Sequence, residues 1–356
     1  MEKLNVAIIG QGRSGKSIHS NYFRSEENKY YNVKYVVDAD EYRRNLSKEL
    51  HPGCETFADY RELLKLDDID LVVNATFSEM HYSITKDLLE HGKNVLVEKP
   101  MGRTRYECED LIKTAKDNNV TLAVFMQTFF APYYEFAYET IKSGRLGDVK
   151  QISVHFNGFS RRWDWQTLQK KCAGNAYNTG PHPIGVALGF LDFDPNAKVV
   201  YTKLGSALTS GDADDYVKIL IDTPNKPVLD IEISNTDAYS DYNIKIQGSK
   251  GTMKLTPLKY QMTYIVDGEN EERPVIEEFL KTEDGRPCYC RENFIKHTEE
   301  GEFNGTAFEI GTAKLYNQLY FKITEGTPMT VTPEMGAEVI GIIEMCHVQN
   351  PLPRKY

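Results

Sequence analysis

The apolar run Val6-Ala7-Ile8-Ile9 leads directly into the eight residues Gly10 to Ser17, GQGRSGKS. A buried strand that turns on glycines into a helix belongs to α/β folds with a parallel sheet. The eight residues fit two incompatible templates. As G-x-x-x-x-G-K-S they form the phosphate loop of a triphosphate-binding protein, and as G-x-G-x-x-G they form the turn that carries a dinucleotide pyrophosphate. A triphosphate loop also needs a carboxylate at the end of another buried strand to hold magnesium. The best strand for that task, Asp70–Ala75, ends in Asn74-Ala75-Thr76 and supplies none.

The dinucleotide turn needs an acid at the tip of the second strand, where it bonds the ribose hydroxyls. Asp38 stands there, closing the run Val33–Val37. Gly10 then makes the turn, Gly12 lets the backbone approach the pyrophosphate, and Gly15 permits close helix-to-strand packing. Arg13 and Ser14 fall in the same cofactor loop, while Lys16 and Ser17 become first-turn helix residues of no special chemistry. A carboxylate at Asp38 repels a 2′-phosphate, so NAD is favoured. Arg43 and Arg44 lie just beyond it and can reach such a phosphate, which leaves NADP open.

The formal charge of −10 excludes a basic field for nucleic acid or an anionic membrane surface. No stretch approaches the ~20 apolar residues of a membrane span, and the run at Val6–Ile9 is too short for a signal peptide. The six cysteines are scattered, and Cys288-x-Cys290 alone is no zinc ligand set, so no metal is expected. Reduced thiols and a cytoplasmic location follow as expectations.

Up to residue 125, short apolar runs alternate with helical patterns: strands at Asn5–Ile9, Val33–Val37, Asp70–Ala75, Asn94–Val97 and Thr121–Phe125, with helices at Lys16–Arg24, Asp40–Leu50, Met80–His91 and Arg105–Asn118 between them. Beyond a helix at Tyr133–Ser143, period-two patterns dominate: KQISVHF, AKVVYTKLG, DYVKILIDT, PVLDIEIS, YNIKIQG and TMKLTP. These predict a large, mostly antiparallel sheet. Gly305–Thr324 and Thr332–Val348 read as late helices. The expected organisation is an α/β protein with a Rossmann dinucleotide-binding domain over 1–125 and a second α/β domain with an open sheet over 126–356.

The strand that ends in Glu98-Lys99-Pro100, well downstream of the glycine turn, resembles the Gfo/Idh/MocA oxidoreductases. The likeness extends over the chain: DLVVNATFSEMHYSITKDLLEHGKNVLVEKPMG, SGRLGDV, DADDYVKILI, GSKGTM and EGTPMTVTPEMGAEVIGIIE all match family segments. The resemblance implies reversible hydride transfer between NAD(P) and a hydroxyl carbon of a sugar, sugar derivative or cyclitol. It implies Lys99 as general acid/base, with Glu98 beside it in the cofactor site, and assembly as a homodimer or homotetramer through the C-terminal sheet. Independently of the resemblance, oxidising an alcohol needs a proton acceptor, and a lysine tuned toward neutrality serves. The carboxyl end of a strand is also where open α/β sheets bind ligands.

The second family signature, G-G-x-x-x-D-x-G-x-H, reads here as Ala173-Gly174-Asn175-Ala176-Tyr177-Asn178-Thr179-Gly180-Pro181-His182. His182 matches, while Asn178 replaces the aspartate and can bond a hydroxyl but take no proton. Asn178 and His182 therefore join Lys99 as candidate catalytic and substrate residues. The run Ala75-Thr76-Phe77-Ser78, followed by His81, matches residues lining the nicotinamide side. The run Gln127-Thr128-Phe129-Phe130-Ala131-Pro132 stands where the family often carries an Asn-Arg-Arg-Phe-x-Pro-like run; its arginines are missing, and Gln127 is a candidate substrate contact. Arg161, Trp163 and Trp165, in FSRRWDW ahead of the signature, present aromatic faces and donors suited to a sugar ring. Tyr289 and His297 lie where relatives sometimes place substrate contacts. Two alternatives accompany the dehydrogenase: an NAD-bound sugar sensor without catalysis, for which Asn178 speaks, and an enzyme that keeps its NAD bound through a redox-neutral cycle.

Overall fold

Strands with no polar face, such as Val6-Ala7-Ile8-Ile9 and Leu71-Val72-Val73, must be covered on both sides, which only helices flanking a parallel sheet achieve. The computed structural model describes residues 3–356 and shows that arrangement. β1 (Leu4–Ile9), β2 (Tyr31–Val37), β3 (Glu55–Phe57), β4 (Leu71–Asn74), β5 (Val95–Val97) and β6 (Leu122–Val124) form one sheet in the order β3-β2-β1-β4-β5-β6. Every pairing in it is parallel. Strand order reverses between β1 and β4, so the loops that follow these two strands diverge and leave a crevice at the carboxyl ends.

Local chemistry starts each crossover helix. Asp40 accepts a hydrogen bond from the Tyr42 amide ahead of helix Glu41–Leu50, and Thr104 does the same for Glu107 ahead of Arg105–Asp117. The helix after the glycine turn begins one residue earlier than the sequence predicts. Its first turn, Gly15–His19, is wound as a π-helix before Ser20–Arg24 becomes α-helical.

The second sheet contains β7 (Val149–Asn157), β8 (Lys198–Gly205), β9 (Tyr216–Asp222), β10 (Val228–Ser234), β11 (Ile244–Gly248), β12 (Gly251–Leu255), β13 (Lys259–Tyr264) and β14 (His297–Glu302), ordered β14-β13-β12-β11-β7-β10-β9-β8. It is antiparallel except where β7 pairs with β10. One face is apolar and buried, with Ile152, Val154, Ile231, Ile233, Ile219 and Ile246 among its residues. Helices Pro181–Gly189 and Pro333–Gln349 pack on that face. The opposite face carries lysines and acids.

The late helices are Thr312–Glu325, preceded by a π-turn over Ala307–Gly311, and Pro333–Gln349. Both also reach the first sheet's layer. Tyr316 stacks on Tyr22 at 4.5 Å, and Pro333–Gln349 lies along Arg105–Asp117. Among the described residues no helix is long and apolar enough to cross a membrane.

Candidate active site

Gly10 follows β1 with φ +90°, and a Cβ there would stand 2.5 Å from the Ala75 carbonyl oxygen at the end of β4. The two loops of the crevice therefore touch at this glycine. A Cβ on Gly15 would lie 1.8 Å from the Gly10 carbonyl oxygen, so no other residue lets the helix start so close to the strand. A Cβ on Gly12 would meet nothing within 4 Å, because Gly12 borders open space. That is the cradle a pyrophosphate requires, with Arg13 and Ser14 beside it at the helix start.

Asp38 ends β2 and is held by backbone donors. Its carboxylate accepts from the Gln11 amide at 2.7 Å and from the Asp40 amide at 2.9 Å. Arg43 approaches the same carboxylate at 3.6 Å. Arg44 donates through Nη1 to the carbonyls of Asp38 and Ala39, each at 2.8 Å. Of the two arginines expected near a 2′-phosphate, Arg43 lies against the carboxylates of Asp38 and Asp40, and Arg44 is anchored to the backbone through Nη1.

β5 delivers Glu98 and Lys99 to the same crevice. The Lys99 ammonium donates to the backbone carbonyl of Asn178 at 2.6 Å and forms no ion pair among the described residues. Burial pushes its pKa down, Glu98 opposes this, and the guanidinium groups of Arg13 and Arg162 lower it further. His182 stands at the start of Pro181–Gly189, with Nδ1 2.7 Å from the Thr128 hydroxyl. Burial, and then the charge of Lys99, bring its pKa to about 3, so this imidazole is neutral at any working pH.

Glu98 is buried, and burial pushes its pKa up. Its hydrogen bond to His19 and the charge of Lys99 prevail, and the carboxyl stays at about 2. His19 Nε2 lies 3.2 Å from Glu98 Oε1, and His19 Nδ1 lies 2.8 Å from the Tyr316 hydroxyl. His19, Tyr316 and Thr128 are not among the residues expected from sequence. The single signal was positional: His19 follows Gly15 by one helical turn, on the side that faces the sheet.

The structure distributes the remaining candidates differently. Asn178 meets Lys99 through its backbone carbonyl, while its side-chain oxygen accepts from Gln166 at 2.8 Å. His81 is buried, with Nδ1 2.7 Å from the Pro100 carbonyl and Nε2 3.2 Å from the Thr76 carbonyl. It thereby pins the loop after β4 to the segment after β5, and presents no ring nitrogen to the crevice. Thr76 bonds Asn74 through its hydroxyl at 2.8 Å. Gln127 is buried, 2 % exposed, with its Oε1 unpartnered. Trp165 packs edge-to-face on Phe77 at 5.0 Å, joining its loop to the crevice. Trp163, 78 % exposed, and Arg161 stand out in solvent. Arg162, not Arg161, is the arginine whose charge reaches Lys99. Tyr289 and His297 lie on and beside the β13–β14 excursion, where His297 pairs with Glu269 at 2.6 Å.

A parallel sheet with a glycine cradle, a carboxylate at the second strand tip and a desolvated lysine across the crevice defines an NAD-binding oxidoreductase. Residues 4–126 match the profile of an oxidoreductase family with an NAD-binding Rossmann fold, and residues 138–349 match that family's C-terminal alpha/beta domain. The chain belongs to the Gfo/Idh/MocA oxidoreductase family. It is 22% identical over 352 residues to the scyllo-inositol 2-dehydrogenase (NADP(+)) IolW of Bacillus subtilis, covering 97% of this chain and 93% of the relative. It is 24% identical over 295 residues to the 2,7-anhydro-N-acetylneuraminate hydratase of Mediterraneibacter gnavus, covering 80% and 76%. The fold is similar to that of levoglucosan dehydrogenase in complex with NADH and levoglucosan, with a TM-score of 0.77 at 19% identity over 98% of this chain and 97% of the other.

Proposed function

We propose that the protein transfers a hydride between NAD(P) and a hydroxyl carbon of a sugar, sugar derivative or cyclitol, with Lys99 as general acid/base. The observation that carries this reading is the environment of Lys99. Its ammonium is bonded to one backbone carbonyl, desolvated, and faced by Arg13 and Arg162, so its proton is held loosely. Bound NAD supplies the hydride acceptor. Lys99 takes the proton of the reacting hydroxyl in one direction and returns it in the other. Neutral His182, oriented by Thr128, offers Nε2 to a neighbouring hydroxyl. Asn178 holds Lys99 through its carbonyl and contributes no proton of its own. The inositol dehydrogenase and levoglucosan dehydrogenase relatives support the substrate class.

Asp38 favours NAD, and Arg43 leaves NADP accessible. The reading places the domain division at 125/126 and the protein in the cytoplasm, in keeping with six free cysteines. It includes assembly as a homodimer or homotetramer through the second sheet. A second reading, a redox-neutral cycle on retained NAD, is favoured by the hydratase relative.

The test is a panel of sugars, cyclitols and sugar acids with NAD and NADP, followed by NADH or NADPH absorbance and by product analysis. Free NADH identifies the dehydrogenase, and converted sugar without it identifies the redox-neutral cycle. Lys99→Ala is expected to lower kcat by at least ~10²-fold, the usual worth of a general acid/base, while NAD affinity stays within a few-fold. Retained turnover removes Lys99 from the mechanism.

A further inference from the structure

Between β13 and β14 the chain leaves the sheet for residues 265–296. Loops of that length are uncommon in compact proteins unless they bind something. This one is organised. Thr282 N donates to Arg286 O at 2.9 Å and Cys288 N to Leu280 O at 3.0 Å around a Lys281–Pro287 bridge, which makes a projecting two-stranded hairpin. Its root is fastened by Asn270, whose side chain accepts from Ile295 N at 2.7 Å, and by Arg273 with Glu292 at 3.1 Å.

Its large apolar side chains stand in solvent. Val275 is 90%, Phe279 93% and Tyr289 100% exposed. A two-stranded hairpin alone in water is marginal at best, and large apolar side chains gathered on one excursion mark a contact surface. The excursion is also acidic, with nine Asp and Glu against five Lys and Arg over residues 266–296.

The second sheet carries two lysines that can meet such acids. On the face turned away from the helices, Lys203 stands directly opposite Lys218, and Lys245 directly opposite Lys254. Like charges placed opposite one another destabilise a sheet unless anions sit over them. Lys218 has Asp230 and Glu232, and Lys254 has Asp241. Lys203 and Lys245 form no ion pair among the described residues.

We propose that the 265–296 arm of one chain docks on this lysine-bearing face of a second copy of the chain. Val275, Phe279 and Tyr289 supply the apolar contact, and the arm's acids meet Lys203 and Lys245. A two-fold arrangement lets each copy give one arm and receive one, so no hairpin is left bare. The inference rests on the assembly part of the proposed function and adds the element that closes the interface.

The test uses the full chain in light scattering and cross-linking. Wild-type protein is expected to run as a dimer or tetramer. The variant Val275→Asp/Phe279→Asp/Tyr289→Asp, and separately Lys203→Glu/Lys245→Glu, are expected to weaken association by at least ~10-fold, as loss of interface anchors does. Unchanged circular dichroism and NAD binding show that each variant is folded. In a mixture of isotopically light and heavy chains, a maleimide–succinimide linker on Cys290 is expected to join it to Lys203 or Lys245 of the other isotope. A monomeric wild type overturns both the arm and the sheet assembly. An oligomer that persists in both variants, or Cys290 links confined to one isotope, overturns the arm and leaves the sheet assembly standing.

Discussion

Lys99 owes its character to its neighbours. Burial and two guanidinium groups lower its pKa, and the buried Glu98 carboxylate partly restores it. Oxidation rate against pH is therefore expected to rise with a pKa below the ordinary lysine value. His182, with a pKa of about 3, adds no limb near neutrality. Glu98 stays ionised because His19 bonds it at 3.2 Å. Removing that donor by His19→Ala is expected to raise the Glu98 pKa from about 2 and move the acid limb of the profile upward. Leaving a buried carboxylate short of a partner costs about 1–3 kcal/mol. His19→Gln is expected to restore part of the limb, and an unmoved limb would show that His19 only fills space. Asp38, Glu98 and Lys99 were legible in sequence because strand ends fix where they point. His19 was not, because its partner lies 79 residues away.

At the scale of elements, the turn between β8 and β9 carries three buried aspartates that serve as backbone acceptors. Asp215 takes the amides of Ala207, Leu208 and Thr209 at 2.6–2.7 Å, and Asp212 those of Gln169 and Lys355. Asp214 takes the Ala176 amide at 2.7 Å and the Asn175 amide through its carbonyl at 2.9 Å. It thus starts the short helix Asn175–Asn178 whose last carbonyl receives Lys99. Burial raises the Asp214 carboxyl to about 7, with Asp215 adding to the effect. His347 Nε2 lies 3.8 Å away, and burial lowers that imidazole to about 4. The folded state therefore holds a proton on Asp214 that the unfolded chain releases near pH 4, and this contribution to stability is lost as pH rises through about 7. Asp214→Asn keeps the oxygen that receives Ala176 and cannot ionise. Its stability relative to wild type is expected to improve from pH 5 to pH 8 by on the order of a few kcal/mol, read by urea unfolding at both pH values. A pH-independent difference would sink this account. The period-two pattern of DADDYVKILI gave the strand but could not distinguish surface acids from acids that organise a neighbouring helix.

Across the whole molecule, the chain closes on itself through Tyr316. Fully buried, it stacks on Tyr22, meets Phe23 and Tyr31 edge-on at 4.9 and 5.4 Å, bonds His19, and accepts the Tyr31 hydroxyl through its carbonyl at 2.8 Å. The late helix Thr312–Glu325 is thereby packed on the first helix and second strand of the dinucleotide layer. Tyr316→Ala is expected to cost about 3–5 kcal/mol, the usual price of an aromatic cavity. Tyr316→Phe should cost about 1 kcal/mol for the lost hydrogen bond. Urea unfolding checks both, and equal losses would mean that the hydroxyl, not the ring, holds the layers together.

The sequence alone determined whatever depends on local order along the chain. Strand–glycine–helix spacing, the acid at the tip of β2, Lys99 at the end of β5 and the change from helical to period-two texture are all set within a few residues. Tertiary structure decided what depends on which side chains meet. Asn178 meets Lys99 through its carbonyl while Gln166 occupies its side-chain oxygen, His81 serves two backbone carbonyls, and Trp163 faces solvent while Trp165 meets Phe77. The physical reason is range. Periodicity and turn chemistry act over a few residues, whereas burial and hydrogen-bond partners are set by contacts between segments whose separation along the chain carries no record of their meeting.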